Sequence, residues 1–208
     1  MKIAIFGVSG FAREVADVCL ETGYTEIVFI DYITKETEYF GFPLIGENEV
    51  ARLVAGEFHF IIGVGDNKLR KEIYHKFPTV NYINLIHPSA TFGHKQLARL
   101  KQGIGNIVTA GTRITSNIEF GNFGIFNLNC TIGHDCIIED FVTVSPGANI
   151  SGNVHLSEGA YIGTGAQIIQ GKSIDNKLSI GKYSTVGAGA VVTKSVPAEV
   201  VVRGVPAR

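Results

Sequence analysis

The sequence lacks any real imbalance of charge: 18 Lys and Arg stand against 19 Asp and Glu, for a formal net charge of −1. No basic surface is therefore available to hold nucleic acid or an anionic membrane. Cysteine is scarce, with only Cys19, Cys130 and Cys136, an odd number without CxxC spacing. These read as reduced core residues of a cytoplasmic protein. Long apolar runs are also missing. The stretch from Met1 to Phe6 stops at Gly7, too short for a signal-peptide core or a membrane span, so neither export nor anchoring is expected.

Helical periodicity is confined to residues 1–84. There, short apolar runs (Ile3 to Phe6, Ile27 to Ile30, Phe58 to Val64) alternate with helix-like segments (Phe11 to about Glu21, Glu47 to Val54, Asn67 to Phe77). Strands alternating with helices predict a small α/β, Rossmann-like domain with a parallel sheet and right-handed crossovers. Gly7-Val8-Ser9-Gly10 follows the first strand, where glycines let backbone amides approach a phosphate at a helix N-terminus. The full GxGxxG is absent, since Ser9 and Ala12 replace glycines. Asp31 closes the second strand, the place where such a fold carries a ribose-binding acid.

From residue 85 a period of six takes over. Counting from Ile114, every sixth residue through Val192 is large and apolar, fourteen in succession, and no insertion breaks the register. Four residues after each stands a mostly small side chain, as at Cys130, Cys136, Ala148, Ala160, Ala166 and Ala190. Lys172 violates the rule and Leu178 is oversized. Glycine often follows the large residue directly, as at Gly133 and Gly163, which suggests a corner conformation that glycine adopts cheaply. Neither a strand nor a helix generates a strict six, so a three-sided coil of three hexapeptides per turn is expected over 85–208.

These repeats resemble the hexapeptide-repeat acyltransferases, and the closing Gly204-Val205-Pro206-Ala207-Arg208 is similar to the end of their repeat domain. The resemblance implies a left-handed parallel β-helix, homotrimeric assembly and acetyl-coenzyme A as co-substrate, with no metal. Residues 129–154 resemble a subfamily that N-acetylates bacterial amino sugars on nucleotide carriers, as in the bacillosamine pathway, or O-acetylates sialic acid.

Ile132-Gly133-His134-Asp135-Cys136-Ile137 places an imidazole beside a carboxylate outside the apolar stack. Acyl transfer from a thioester to an amine or hydroxyl needs a base of near-neutral pKa, which histidine supplies. Asp135 could fix its tautomer. The resemblance gives the same roles to His134 and Asp135, and implies coenzyme contacts at Thr143, Thr164 and Ala188. It also implies an acceptor pocket from Ser9, Gly10, Phe11, Asp31, Tyr32 and the segment Gly65 to Arg70, including Gly65 and Lys68. Relatives often carry histidine at the positions of Phe11 and Thr143, and aspartate at that of Tyr32. The expected activity is acetyl transfer to the amine of a nucleotide-linked amino sugar, most favourably a UDP-linked 4-amino-dideoxy sugar of surface-glycan synthesis. Sialic acid O-acetylation and a non-catalytic nucleotide-binding scaffold are the alternatives. A zinc β-helix enzyme would need three converging histidines, and His134 has only the distant His155 as company.

Overall fold

The computed structural model describes residues 1–32 and 35–208. The N-terminal half forms β1 (Lys2–Phe6), α1 (Gly10–Glu21), β2 (Glu26–Asp31), β3 (Glu38–Tyr39), β4 (Phe42–Gly46), α2 (Val50–Ala55), β5 (His59–Ile62) and α3 (Asn67–Lys76). The sheet order is β3-β4-β2-β1-β5, parallel throughout except for the short β3–β4 pair. Its central strands read as unbroken apolar runs because both faces are covered. Ser9 caps α1 by accepting from the Ala12 amide, and Asp66 caps α3 through Leu69 N. Strand β4, pairing in register with Phe29 to Asp31, was not foreseen: Pro43 and two glycines, Gly41 and Gly46, mask its short apolar core.

The C-terminal half is a coil with three flat parallel faces. The first face has seven strands, from Leu85–Ile86 to Val201–Val202; the second has six, from Thr91–Phe92 to Val191–Val192; the third has four, from Glu119–Phe120 to Leu178–Ile180. Strands pair with partners eighteen residues on, as Thr131 with Asn149 and Ile125 with Thr143. The every-sixth residues stack inside with the small residues, Cys130 and Cys136 among them. Burial pushes the Cys130 thiol up to about 12 and the Cys136 thiol to about 11, so both remain protonated core groups. The short helix Gln96–Leu100 stands in for the third face in the first turn. It buries Leu100 in the stack, and its Gln96 side chain accepts from Ile118 N, plugging an end that would otherwise be open.

Two expectations about the coil are corrected. Ile174 is not in the stack: it is 53% exposed, and Ile168 pairs with Val192 and Leu156 with Ile180, twenty-four residues apart rather than eighteen. A six-residue insertion has left the coil as a hairpin, and because its length equals the period it did not disturb the register. The glycines directly after the large residues also serve differently. At Gly133 a Cβ would come within 2.6 Å of the Gly152 amide in the next turn. Close stacking of backbones, not a left-handed φ, demands glycine there. The left-handed residue lies two positions later, at Asp135 with φ 58°.

The two halves share their packing. Leu85, Ile107 and Ile125 of the first face join the core beneath α1, while Phe123 and Phe141 from an adjoining corner pack with Tyr74 and Tyr82 on the other side of the sheet. No helix among the described residues is long and apolar enough to cross a membrane.

Candidate active site

His134 and Asp135 form the corner between the second and third faces. Asp135 occupies the left-handed region, which aspartate tolerates better than most residues. This turn brings its carboxylate to His134, with Nδ1 and Oδ2 2.6 Å apart. One turn earlier in the coil, Asn117 donates from Nδ2 to Asp135 Oδ1 at 2.6 Å. The Asn117 hydrogen bond, with that of His134, holds the Asp135 carboxyl below the usual carboxylate range. An ionised Asp135 accepts from Nδ1–H, which leaves the Nε2 lone pair free to receive a proton. The His134 side chain is 48% exposed. It lies directly against Gly152 of the next turn, where a Cβ would stand 2.5 Å from Cε1 and Nε2. Lys177 completes the corner by donating from Nζ to the Asp135 carbonyl at 2.5 Å.

In the N-terminal half a cleft of about 320 Å³ opens at the C-terminal ends of the parallel strands, lined by Gly7, Asp31, Tyr32, Glu47 and Lys76 among others. This is where an open parallel sheet leaves its crevice. Asp31 Oδ1 accepts from Tyr32 N at 2.8 Å, and the Lys76 ammonium sits 4.7 Å from the centre of the Tyr32 ring. A second cleft, of about 570 Å³, lies between the halves. Phe11, Gly65, Asp66 and Asn67 face Asn127, Tyr161, Thr164 and Thr185 of the first face and its edge.

The sequence-derived site residues are thus divided. Asp31 and Tyr32 line the first cleft; Phe11, Gly65 and Thr164 line the second. Ser9 caps α1 and Gly10 opens it, Lys68 lies over the Tyr183 ring, and none of the three lines either cleft. Ala188 is one turn along the same corner as Thr164, whose carbonyl accepts from Gly189 N. Thr143 lines the second cleft but is only 4% exposed, and its hydroxyl accepts from Arg70 Nη2 at 3.0 Å. His134 stands at a different corner from either cleft, so one chain does not assemble all of these groups.

Arg70, read from sequence as part of an acceptor segment, turns the other way. It is 1% exposed and donates to the carbonyls of Val64, Gly65, Phe123 and Phe141 as well as to Thr143, tying α3 to the coil. Burial pulls its guanidinium down to about 9, still charged at neutral pH. Asn117, Gly152 and Lys177 went unnoticed in the sequence. The first two lie eighteen residues before Asp135 and eighteen after His134, one turn in each direction.

Residues 2–77 match the PglD N-terminal domain family. Over 159 residues, 72% of this chain and 70% of the relative, the sequence is 33% identical to GDP-perosamine N-acetyltransferase of Escherichia coli O157:H7. The chain belongs to the nucleotide amino-sugar N-acetyltransferase family. Among solved structures, PerB from Caulobacter crescentus in complex with CoA and GDP-perosamine is similar to this acetyltransferase over 100% of this chain and 96% of that one, with a TM-score of 0.88 and 29% identity. The acetyltransferase domain of PglB from Neisseria gonorrhoeae FA1090 in complex with acetyl coenzyme A matches 100% of this chain and 98% of that one, with a TM-score of 0.87 and 32% identity. Both similarities run through the sheet domain and the coil alike, so the arrangement of the two halves is a property of the family.

Proposed function

We propose that this acetyltransferase moves the acetyl group of acetyl-CoA to the amine of a nucleotide-linked amino sugar, with His134 as general base. The observation that carries the reading is the His134–Asp135 pair: a 2.6 Å hydrogen bond at Nδ1 beside an exposed imidazole edge. As the amine attacks the thioester carbonyl, Nε2 takes its proton. The tetrahedral intermediate, its oxyanion held by a backbone amide, then expels the coenzyme A thiolate, which His134 reprotonates. Asp135 orients the ring and stabilises the imidazolium. No metal is required by this chemistry.

The acceptor's nucleotide belongs, in this reading, to the clefts around Ser9, Gly10, Phe11, Asp31, Tyr32, Gly65 and Lys68. Acetyl-CoA runs past Thr143, Thr164 and Ala188. UDP is the proposed carrier and a 4-amino-dideoxy sugar of surface-glycan synthesis the proposed acceptor; relatives named for a GDP sugar make GDP the first alternative to assay. The reading includes two domains, 1–84 and 85–208, a left-handed coil, and work in the cytoplasm. It also includes a homotrimer, because His134 and the clefts occupy different corners of one chain and a symmetric neighbour can join them. A monomer by light scattering at micromolar concentration would remove that part. The decisive assay is thiol release with UDP- and GDP-linked amino sugars and with free sialic acid. His134→Ala is expected to lower kcat/KM by about 10²- to 10⁴-fold with the fold intact. Turnover near wild type in that variant, or acetylation of sialic acid alone, would overturn the assignment.

A further inference from the structure

Toward the capped end of the coil, Asp135 has a counterpart eighteen residues back, Asn117, and Asn117 has one eighteen residues before itself, Arg99. Asn117 shares the left-handed backbone of Asp135, with φ 55° against 58°. Arg99 sits instead on the short helix Gln96–Leu100, yet its side chain reaches the same column. Its Nη1 donates to Asn117 Oδ1 at 3.2 Å and to the Ile118 carbonyl at 3.4 Å. Asn117 Nδ2 donates to Asp135 Oδ1, and Asp135 Oδ2 meets His134 Nδ1, each at 2.6 Å. A single chain of hydrogen bonds therefore runs from the end cap to the imidazole.

This chain has one direction. A guanidinium only donates and an ionised carboxylate only accepts, so the Asn117 amide fits between them one way, oxygen toward Arg99 and nitrogen toward Asp135. Reversing it would set a carbonyl against the carboxylate and an NH2 group against the guanidinium. Asn117 is exposed, so water competes for both ends of its amide, and a second attachment point limits its rotamers. Arg99 also draws electron density from the amide oxygen, which makes Nδ2 a better donor to Asp135. The helix that carries Arg99 is itself held: Leu100 is buried in the stack, and Gln96, 3% exposed, accepts from Ile118 N at 2.9 Å. Cap and corner are thus joined through the Ile118 N–H, the Ile118 carbonyl and the Asn117 side chain.

We propose that Arg99 is a positioning residue for acetyl transfer: by clamping the Asn117 amide it holds the Asp135 carboxylate, and through it the His134 ring, in the orientation that leaves Nε2 free. The proposal rests on the reading of His134 as base and extends it two turns of the coil, about 10 Å, to a side chain that bonds to neither member of the dyad. The helix at the end of the coil then serves the chemistry as well as closing the core.

The test is a double-mutant cycle on the intact protein with Arg99→Met and Asn117→Ala, read by thiol release with acetyl-CoA and UDP- and GDP-linked 4-amino-dideoxy sugars. Losing one charge-assisted bond of the chain is expected to lower kcat by about tenfold, with KM for both substrates within twofold of wild type. Because Arg99 is exposed, its melting temperature should move by no more than about 2 °C. In the Asn117→Ala background Arg99→Met should cause no further loss, since both act through one amide. The imidazole nitrogen NMR resonances give a readout that needs no substrate: wild type should carry the His134 proton on Nδ1, and Arg99→Met should redistribute it between Nδ1 and Nε2. A kcat within twofold of wild type or an unchanged tautomer overturns the proposal. So does a raised KM with kcat unchanged, which would make Arg99 a substrate contact, or a loss that persists without Asn117, which would reduce its role to that of a distant charge. His134→Ala with turnover near wild type removes the base reading itself; a sensitive His134 with an indifferent Arg99 removes only the present proposal.

Discussion

Gly152→Ala tests whether the platform under His134 matters to catalysis. The backbone at Gly152 is not in the left-handed region, and the alanine Cβ would stand 2.5 Å from Cε1 and Nε2 and 2.9 Å from Cδ2, where ordinary contact begins at 3.4 Å. The imidazole must therefore retreat by roughly 0.9 Å, the difference between 3.4 and 2.5. It can do so by swinging outward, because nearly half the side chain is exposed, but only by stretching or breaking its bond to Asp135. The cost thus falls on geometry and not on stability. Displacing a reacting group by about 1 Å costs about 10²-fold in rate, or about 2.7 kcal/mol of barrier. Steady-state thiol release should show kcat/KM down by about that factor, with the melting temperature changed by no more than about 3 °C. In a His134→Ala background the same substitution should have no further effect, since both act through one group. Turnover of Gly152→Ala within threefold of wild type, or a loss that persists without His134, would refute the reasoning.

Arg70→Met keeps much of the volume but leaves the buried carbonyls of Phe123 and Phe141 without their donor. The expected cost is about 3 kcal/mol, seen as a fall of about 6 to 12 °C in melting temperature, and a loss under about 1 kcal/mol would show that the guanidinium is not the strut between the halves. Glu158, bonded to Lys182, Lys71 and Tyr183, is held down to about 2 from an ordinary 4.5. A depressed carboxyl stabilises above its unfolded pKa and loses that contribution as pH falls through the folded one. Glu158→Gln should therefore melt below wild type at pH 7, and the gap should close between about pH 4.5 and 2; a gap that stays constant across that window would contradict the pairing.

Much of the N-terminal half was legible because its strands are apolar on both faces and its helices carry Ser9 and Asp66 as side-chain caps. Local chemistry sufficed there. Strand β4 was missed because its pairing with β2 is tertiary, and nothing within Phe42–Gly46 announces it. Arg70 shows a related limit. Its neighbours Gly65, Asp66 and Asn67 do line a cleft, yet α3 turns Arg70 toward Phe123 and Phe141, fifty-three and seventy-one residues away. A motif read as a string assigns all its members one direction; a helix does not.

The coil shows the converse. Its period made long-range contacts computable from sequence, since a residue and its counterpart eighteen positions on occupy the same place in successive turns. Applied to His134 and Asp135, that arithmetic reaches Gly152 and Asn117, the platform and the carboxylate's donor, without any coordinates. It fails at Lys177, forty-two residues from Asp135, because the inserted six residues shift the spacing between turns while preserving the register by which they would be detected. The only trace was chemical: Lys172 at a position that elsewhere takes small residues, and Leu178 too large for its own. A lysine cannot enter that stack without an unpaired buried charge, so its presence meant that the chain had left the coil there. The departure occurs at the corner that carries His134, where a hairpin can add contacts that two-residue strands and tight turns have no room to provide.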